Sequence, residues 1–191
     1  MTTRNLRSLS AGFVFASLGV STAWAAVPTG WIVSGSAPAE YEFSQAASGS
    51  SGKHSALIEA KPGASSGFGT LMQGISAEDY RGARWRLSGY MKTEQATRAQ
   101  MWMRVDGPDK AMLAFDNMDS RVVSGTTDWT RYEVVLDVPQ ASVAIAFGFF
   151  LGGSGKVWGD NFRIERVDAT VPVTSRSPGM PKAPANPDFE L

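Results

Sequence analysis

Hydrophobic and polar positions alternate with a period of two along much of the chain, most plainly in residues 127–139. There Tyr132, Val134, Leu136 and Val138 alternate with Arg131, Glu133 and Asp137. Successive side chains of an extended strand leave on opposite faces, so the pattern predicts a strand with one buried and one wetted side. Two more strands are expected at residues 143–149 and 157–164. In the second, Trp158, Asp160, Phe162 and Ile164 share parity, which places Trp158 on the core side with Phe162 and Ile164.

Upstream, strands are expected at residues 31–34, 41–44, 54–60, 68–75, 84–92, 100–106 and 112–116, punctuated by Gly, Ser, Asp and Pro. Ala56, Ile58 and Ala60 share one side of the third. Residues 76–80 read as a single helical turn, with Ser76 as its cap and Glu78 and Asp79 near its positive end. Short strands separated by turns predict an all-β sandwich of two antiparallel sheets. No internal repeat is visible.

The N-terminal segment breaks this pattern. Arg4 and Arg7 precede an apolar run over residues 11–20, and Ala23, Trp24 and Ala25 supply the small-x-small pattern read by a signal peptidase. Residues 1–25 are therefore expected to be a signal peptide, with export to a periplasm or beyond. The run is too short for a stable membrane span, and no later segment is apolar enough for one. The chain has no Cys, so neither disulfides nor a lipidated cysteine contribute. Lys plus Arg and Asp plus Glu each number 18, and the leader holds two of the arginines, so the mature charge is about −2. That balance offers no electrostatic case for nucleic acid or anionic lipid. A mature chain of about 165 residues suits one domain with its own core.

Trp129 and Tyr132 in one strand, Gly148 in the next, and Trp158 and Asp160 in the last form a set. Together they resemble the closing strands of the carbohydrate-binding, galactose-binding-like jelly rolls, especially modules of the xylan- and glucan-binding families. The resemblance covers residues 28–167 and is strongest after Tyr80. It implies a single jelly-roll β-sandwich over residues 26–167 and identifies a fold better than a ligand.

Residues 168–185 are rich in Pro, Ser, Thr and Ala without hydrophobic periodicity, and read as a linker or tail. Residues 186–191 then run Asn186, Pro187, Asp188, Phe189, Glu190, Leu191. This is similar to the opening strand of the family, which normally precedes a turn such as Pro28, Thr29, Gly30, Trp31. The resemblance therefore implies a circularly permuted module whose last strand returns beside the N-terminal region. A strand swapped into a second copy, giving a dimer rather than the expected monomer, and a remnant of a lost tandem domain are the alternatives.

Candidate chemistry is sparse. The single His, His54, follows a Ser/Gly turn and reads as structural or solvent-facing, and no Gly-x-Ser-x-Gly elbow surrounds a serine. Glu78 with Asp79, and Asp116 with Asp119, are explained by a helix start and a solvated turn, so no catalytic residue is assigned and the protein is not expected to be an enzyme. Planar groups at outward positions are more informative. Arg86, Ser88, Tyr90 and Lys92 alternate with Trp85, Leu87, Gly89 and Met91, as Gln100, Trp102 and Arg104 do with Met101, Met103 and Val105. An aromatic face stacks on the C–H side of a sugar ring, while Arg, Asp and Asn bond its hydroxyls. The candidate platform is Tyr90, Trp102 and Arg104 with Asp116 and Asn117. The competing reading has Trp102 under a loop and Arg104 paired with Asp106 or Asp116.

The resemblance also implies a structural calcium, with Asp160 as a carboxylate ligand, carbonyls of residues 50–53, and Glu190 if the last strand returns. Direct satisfaction of Asp160 by N–H groups, or pairing with Lys53, is the alternative. The expected function is an exported non-catalytic module that binds a glycan on a concave sheet; the alternative is an envelope or secreted module that contacts another protein. Similar segments occur beside catalytic and regulatory domains in larger bacterial proteins, but no helix-turn-helix is visible here, so DNA binding is not expected.

Overall fold

The structure is a computed structural model, and residues 27–64 and 67–175 are described. Nine strands follow in chain order: β1 (Ile32–Gly35), β2 (Tyr41–Ala46), β3 (Ser55–Ala60), β4 (Phe68–Ser76), β5 (Ala83–Asp106), β6 (Met112–Asp116), β7 (Val123–Val138), β8 (Ala144–Gly152) and β9 (Lys156–Val167). Among the described residues the helical segments are three 3-10 turns, Pro38–Glu40, Glu78–Tyr80 and Pro108–Lys110. None of these helices is long and apolar enough to cross a membrane. The expected turn near Ser76 is present at Glu78–Tyr80, and the Glu78 amide donates to Ser76 Oγ at 3.2 Å.

The two strands expected at residues 84–92 and 100–106 are one 24-residue strand, β5, which belongs to both layers of the sandwich. Residues 84–94 pair with β9 on one side and with β7 on the other, giving the layer β2-β3-β9-β5-β7. Residues 98–106 pair with β8, and residues 103–106 with β6, giving the layer β1-β4-β8-β5-β6. All these pairings are antiparallel. Between the two halves the ladder slips repeatedly and Gln95 takes a positive φ of 49°, so the strand turns a corner there. The corner is pinned from β7, because Thr93 Oγ1 donates to the Gly125 carbonyl at 3.0 Å and the Gln95 amide donates to Thr126 Oγ1 at 3.0 Å.

The core lies between the layers. Leu87, Met91, Met101, Met103 and Val105 of β5 meet Val134 and Leu136 of β7, Phe149 and Leu151 of β8, Leu71 and Ile58, all buried. One end is closed by the turn at Pro28, where the Trp31 amide donates to the Pro28 carbonyl at 3.1 Å. Gly30 takes φ 84° in that turn, a conformation that favours glycine. The turn lays Trp31 edge-on against Phe147, Phe149 and Phe162, with ring centroids 5.3–6.3 Å apart.

The parity expected for the last strand does not persist. Asn161 takes φ 54° at a bulge opposite residues 88–90, and the extra residue reverses the alternation. Phe162 and Ile164 pack on the core, whereas Trp158 stands across from Lys92 on the outer face, its ring 5.7 Å from the ammonium. Trp158 is therefore not a core residue. The expected signal peptide, most of the 168–185 linker and the 186–191 strand lie outside the described residues. Of the linker, Thr174 is tied to β7, its amide donating to the Val135 carbonyl at 2.9 Å.

Candidate functional site

The long strand β5 decides where the expected platform residues go. Both halves present even-numbered residues outward, but they do so on opposite outer faces of the sandwich, because the strand changes layer at its corner. Tyr90 sits on the β2-β3-β9-β5-β7 face, across from Arg131 and Asp160. Trp102 and Arg104 sit on the β1-β4-β8-β5-β6 face. Tyr90 therefore cannot share a ligand with Trp102.

The second face carries a cleft of about 670 Å³, a size suited to a small ligand. Its lining comes from Ser34 and Ser36 at β1, Phe68, Thr70 and Met72 on β4, Phe150 on β8, Arg98, Trp102 and Arg104 on β5, and Phe115 and Asn117 at β6. The indole is anchored, since Trp102 Nε1 donates to Thr70 Oγ1 at 3.0 Å. Trp102 is on β5 and Thr70 on β4, with β8 between them. The ring therefore reaches across β8, where Gly148 is opposite both Trp102 and Met72 and adds no side chain. An aromatic surface laid along a sheet is the geometry needed to stack on a sugar ring. Phe68 and Phe150 extend it, their centroids 5.0 Å apart.

Arg104 is bound to Asp106 at 3.0 Å, as the competing reading expected. Asp116 does not face the cleft. It is 7% exposed, pairs with Met103 in the ladder and is held by Arg121 at 2.7 Å and by the Met118 amide at 2.8 Å. Its role is to fix the turn after β6, and that turn delivers Asn117 to the cleft. The buried Gln100 supports the same turn, its Nε2 donating to the Asn117 carbonyl at 2.6 Å and to Asp119 Oδ1 at 2.9 Å. The Gln100 hydrogen bond, aided by Asn117 and the charge of Arg98, holds the Asp119 carboxyl below the usual carboxylate range. Of the five expected platform residues, the cleft thus gathers Trp102, Arg104 and Asn117.

The sequence reading passed over Arg98, Phe68, Phe115 and Phe150. Arg98 shares parity with Trp102 and was legible once the strand was extended from residue 100 back to residue 98. Phe68, Phe115 and Phe150 carry no local signal, because only the pairing of β4, β8, β5 and β6 brings them beside Trp102.

A second cleft of about 320 Å³ lies at the edge of the sandwich, lined among others by Trp31, Gln45, His54, Asp160 and Phe162. Asp160 Oδ2 accepts hydrogen bonds from the amide and hydroxyl of Ser50, both at 2.8 Å, and Oδ1 accepts from the Asn161 amide at 2.7 Å. These donors satisfy the carboxylate directly, which is the alternative to a calcium ligand that the sequence left open. Among the described residues no three His, Cys, Asp or Glu side chains form a metal-binding group, and Glu190 lies outside those residues. His54 is exposed, as expected of a solvent-facing residue. With its carboxylate satisfied and its rings turned edge-on into the core, this cleft offers a ligand less than the outer-face cleft does.

No protein-family model matches the chain. It is 41% identical over 166 residues, 84% of its length, to a Bacillus subtilis (strain 168) protein named an uncharacterized HTH-type transcriptional regulator YbfP. The chain spans about half, 56%, of that relative's length. Among the described residues nothing forms a helix-turn-helix. In three dimensions the chain is similar to the CBM22-1 xylan-binding domain of Xyn10C from Paenibacillus barcinonensis, at 17% identity, TM-score 0.52, and coverage of 76% of this chain and 91% of that domain. It is also similar to the enzymatically active domain of tailspike protein 4 from bacteriophage CBA120, at 14% identity, TM-score 0.57, and coverage of 73% and 20%. The fold is therefore the carbohydrate-binding-module-like jelly roll, as the closing strands implied.

Proposed function

We propose that this chain is an exported, non-catalytic glycan-binding module whose ligand lies in the outer-face cleft across Trp102. One observation carries the reading: an anchored indole lies along a sheet, continued by Phe68 and Phe150 and bordered by Asn117, Ser34 and Ser36. A saccharide needs this combination, because its rings stack through C–H faces while its hydroxyls seek planar or small polar partners. The likeness of the fold to a xylan-binding domain supports the reading. The cleft lining contains no carboxylate, His or Cys, so the reading includes no catalytic step.

The test is a glycan array probed with the purified protein, followed by calorimetric titration of any ligand found. Trp102→Ala is expected to weaken binding about tenfold or more and to cost about 1 kcal/mol of stability, a few degrees in the melting midpoint. Tyr90→Ala, on the opposite face, is expected to leave affinity unchanged. A Trp102→Ala variant that fails to fold would make Trp102 a core residue and remove the platform. A blank array from a folded protein would favour the protein-contact reading, for which the exposed Met112 and Leu113 of β6 offer an apolar surface.

A further inference from the structure

We infer that the ligand of this cleft is an acidic saccharide, a uronic-acid-bearing glycan whose carboxylate pairs with Arg98; this rests on the glycan-binding reading above. Among the described residues Arg98 is half-buried yet makes no hydrogen bond or ion pair. Arg84, Arg86, Arg104, Arg121 and Arg131 each have a carboxylate partner. Arg81 donates to the Ser142 carbonyl, and Arg163 and Arg166 have no carboxylate partner but are exposed and outside the cleft lining. A guanidinium carries five donors and a permanent charge, and the protein engages none of those of Arg98, so they stay open to the cleft and to a ligand.

The position of Arg98 is set by its surroundings. Its guanidinium lies 5.3 Å from the centre of the Phe150 ring. It also passes Gly152, where an added Cβ would stand 3.0 Å from Nε and 3.1 Å from an Nη atom. The ring and the bare backbone thus leave a slot for a flat group, and they hold the fork in the same cleft as the indole. The Asp119 carboxylate feels the charge of Arg98 but is already engaged by Gln100. The other cation of the cleft, Arg104, is bound to Asp106.

A neutral sugar hydroxyl can accept one hydrogen bond from Arg98 but leaves its charge unpaired. A carboxylate accepts two parallel bonds from the fork and neutralises it. Trp102 then stacks the ring that carries the carboxylate, or the next ring along the chain. The recognised chemistry is a carboxylate on a pyranose scaffold.

The decisive comparison holds ring size and hydroxyls constant while removing the charge. Oligogalacturonate, oligomannuronate and a glucuronate-bearing xylo-oligosaccharide are titrated against the protein, each beside its methyl ester, with neutral xylo-oligosaccharide as a further probe. At least one free acid is expected to bind roughly ten- to hundredfold more tightly than its ester, with the preference shrinking as salt is raised. Arg98→Gln is expected to erase the preference and Arg98→Lys to retain part of it. Equal binding of acid and ester in every pair, or a preference that survives Arg98→Gln, overturns the inference. If Arg98→Gln does not fold, the acid and ester titrations of the unaltered protein decide. Neutral xylo-oligosaccharide binding that Trp102→Ala abolishes, with no acid preference, removes the acidic ligand and leaves the glycan reading standing. A protein that binds no saccharide of either kind removes both.

Discussion

The two outer faces of the sandwich are built by the same alternation on the same strand, yet they manage charge in opposite ways. On the β2-β3-β9-β5-β7 face most cations meet carboxylates across or along the strands. Arg84 pairs with Asp137 at 2.7 Å, and Arg86 with Glu133 and Glu165 at 3.3 and 3.2 Å. Arg131 lies 2.9 Å from Glu133, and Lys156 lies 3.1 Å from Glu59, whose hydrogen bond raises the ammonium's pKa. Tyr90 stands within this ladder. On the β1-β4-β8-β5-β6 face the sheet surface is aromatic, carboxylates are absent from the cleft lining, and among the described residues Arg98 meets the Phe150 ring but no hydrogen-bond or ion-pair partner. A face on which most cations meet a carboxylate holds the sheet together, its exposed Arg163 being served by water. One that leaves a cation and a flat ring unmatched is prepared for something else.

This contrast separates stability from binding, and substitutions can test the separation. The largest effect is expected at Gly148, in the floor of the cleft, where an added Cβ would run into the Leu71 carbonyl oxygen and the backbone of Met72. Gly148→Ala should lower stability by about 3 kcal/mol in urea melts, because two backbones must separate. Gly74→Ala, in the same layer but with open space around it, should change stability by less than about 0.5 kcal/mol. Comparable losses from the two would show that the floor is not closely packed.

Asp116→Asn should come next, costing roughly 2 kcal/mol through the weakened Arg121 bond at 2.7 Å. It should also lower glycan affinity, since the same turn delivers Asn117. Paired denaturation and titration curves would show both losses; affinity kept intact would mean that Asn117 does not contact the ligand. The smallest effect is expected on the ladder face. Arg86→Met should cost less than about 1 kcal/mol, because its partners Glu133 and Glu165 are 40% and 51% exposed and solvent screens them. Titration of this variant should give unaltered glycan affinity. A clear fall would move the ligand to the ladder face and undo the site assignment.

The strand positions were largely legible before the fold was known, because each depends on a local two-residue period and on turn residues beside it. β6 and β3 fall where the alternation places them, within one residue at each end. Trp102, Arg104 and Asn117 were legible as outward or loop residues for the same reason. Tyr90 was correctly read as outward and wrongly read as a neighbour of Trp102, because parity identifies a face of a strand but not the layer to which the strand belongs. Asp116 was misread because its burial depends on Arg121 and on Met118 closing over it. Trp158 was misread because one residue at Asn161 reverses the pattern, and a bulge has no reliable local signature when the residue is not glycine.

The sequence by itself determined an all-β sandwich, its resemblance to the carbohydrate-binding jelly rolls, and the outward direction of residues such as Tyr90, Trp102 and Arg104 on β5. These follow from side-chain direction along an extended chain, a property of nearest neighbours. The tertiary structure alone decided that β5 spans both layers, that Tyr90 and Trp102 part company at Gln95, and that Phe68, Phe115, Phe150 and Arg98 gather around the indole. Those outcomes rest on pairing between strands far apart in the chain, such as β4 with β8 and β8 with β5, and no local pattern encodes which distant strand will lie alongside.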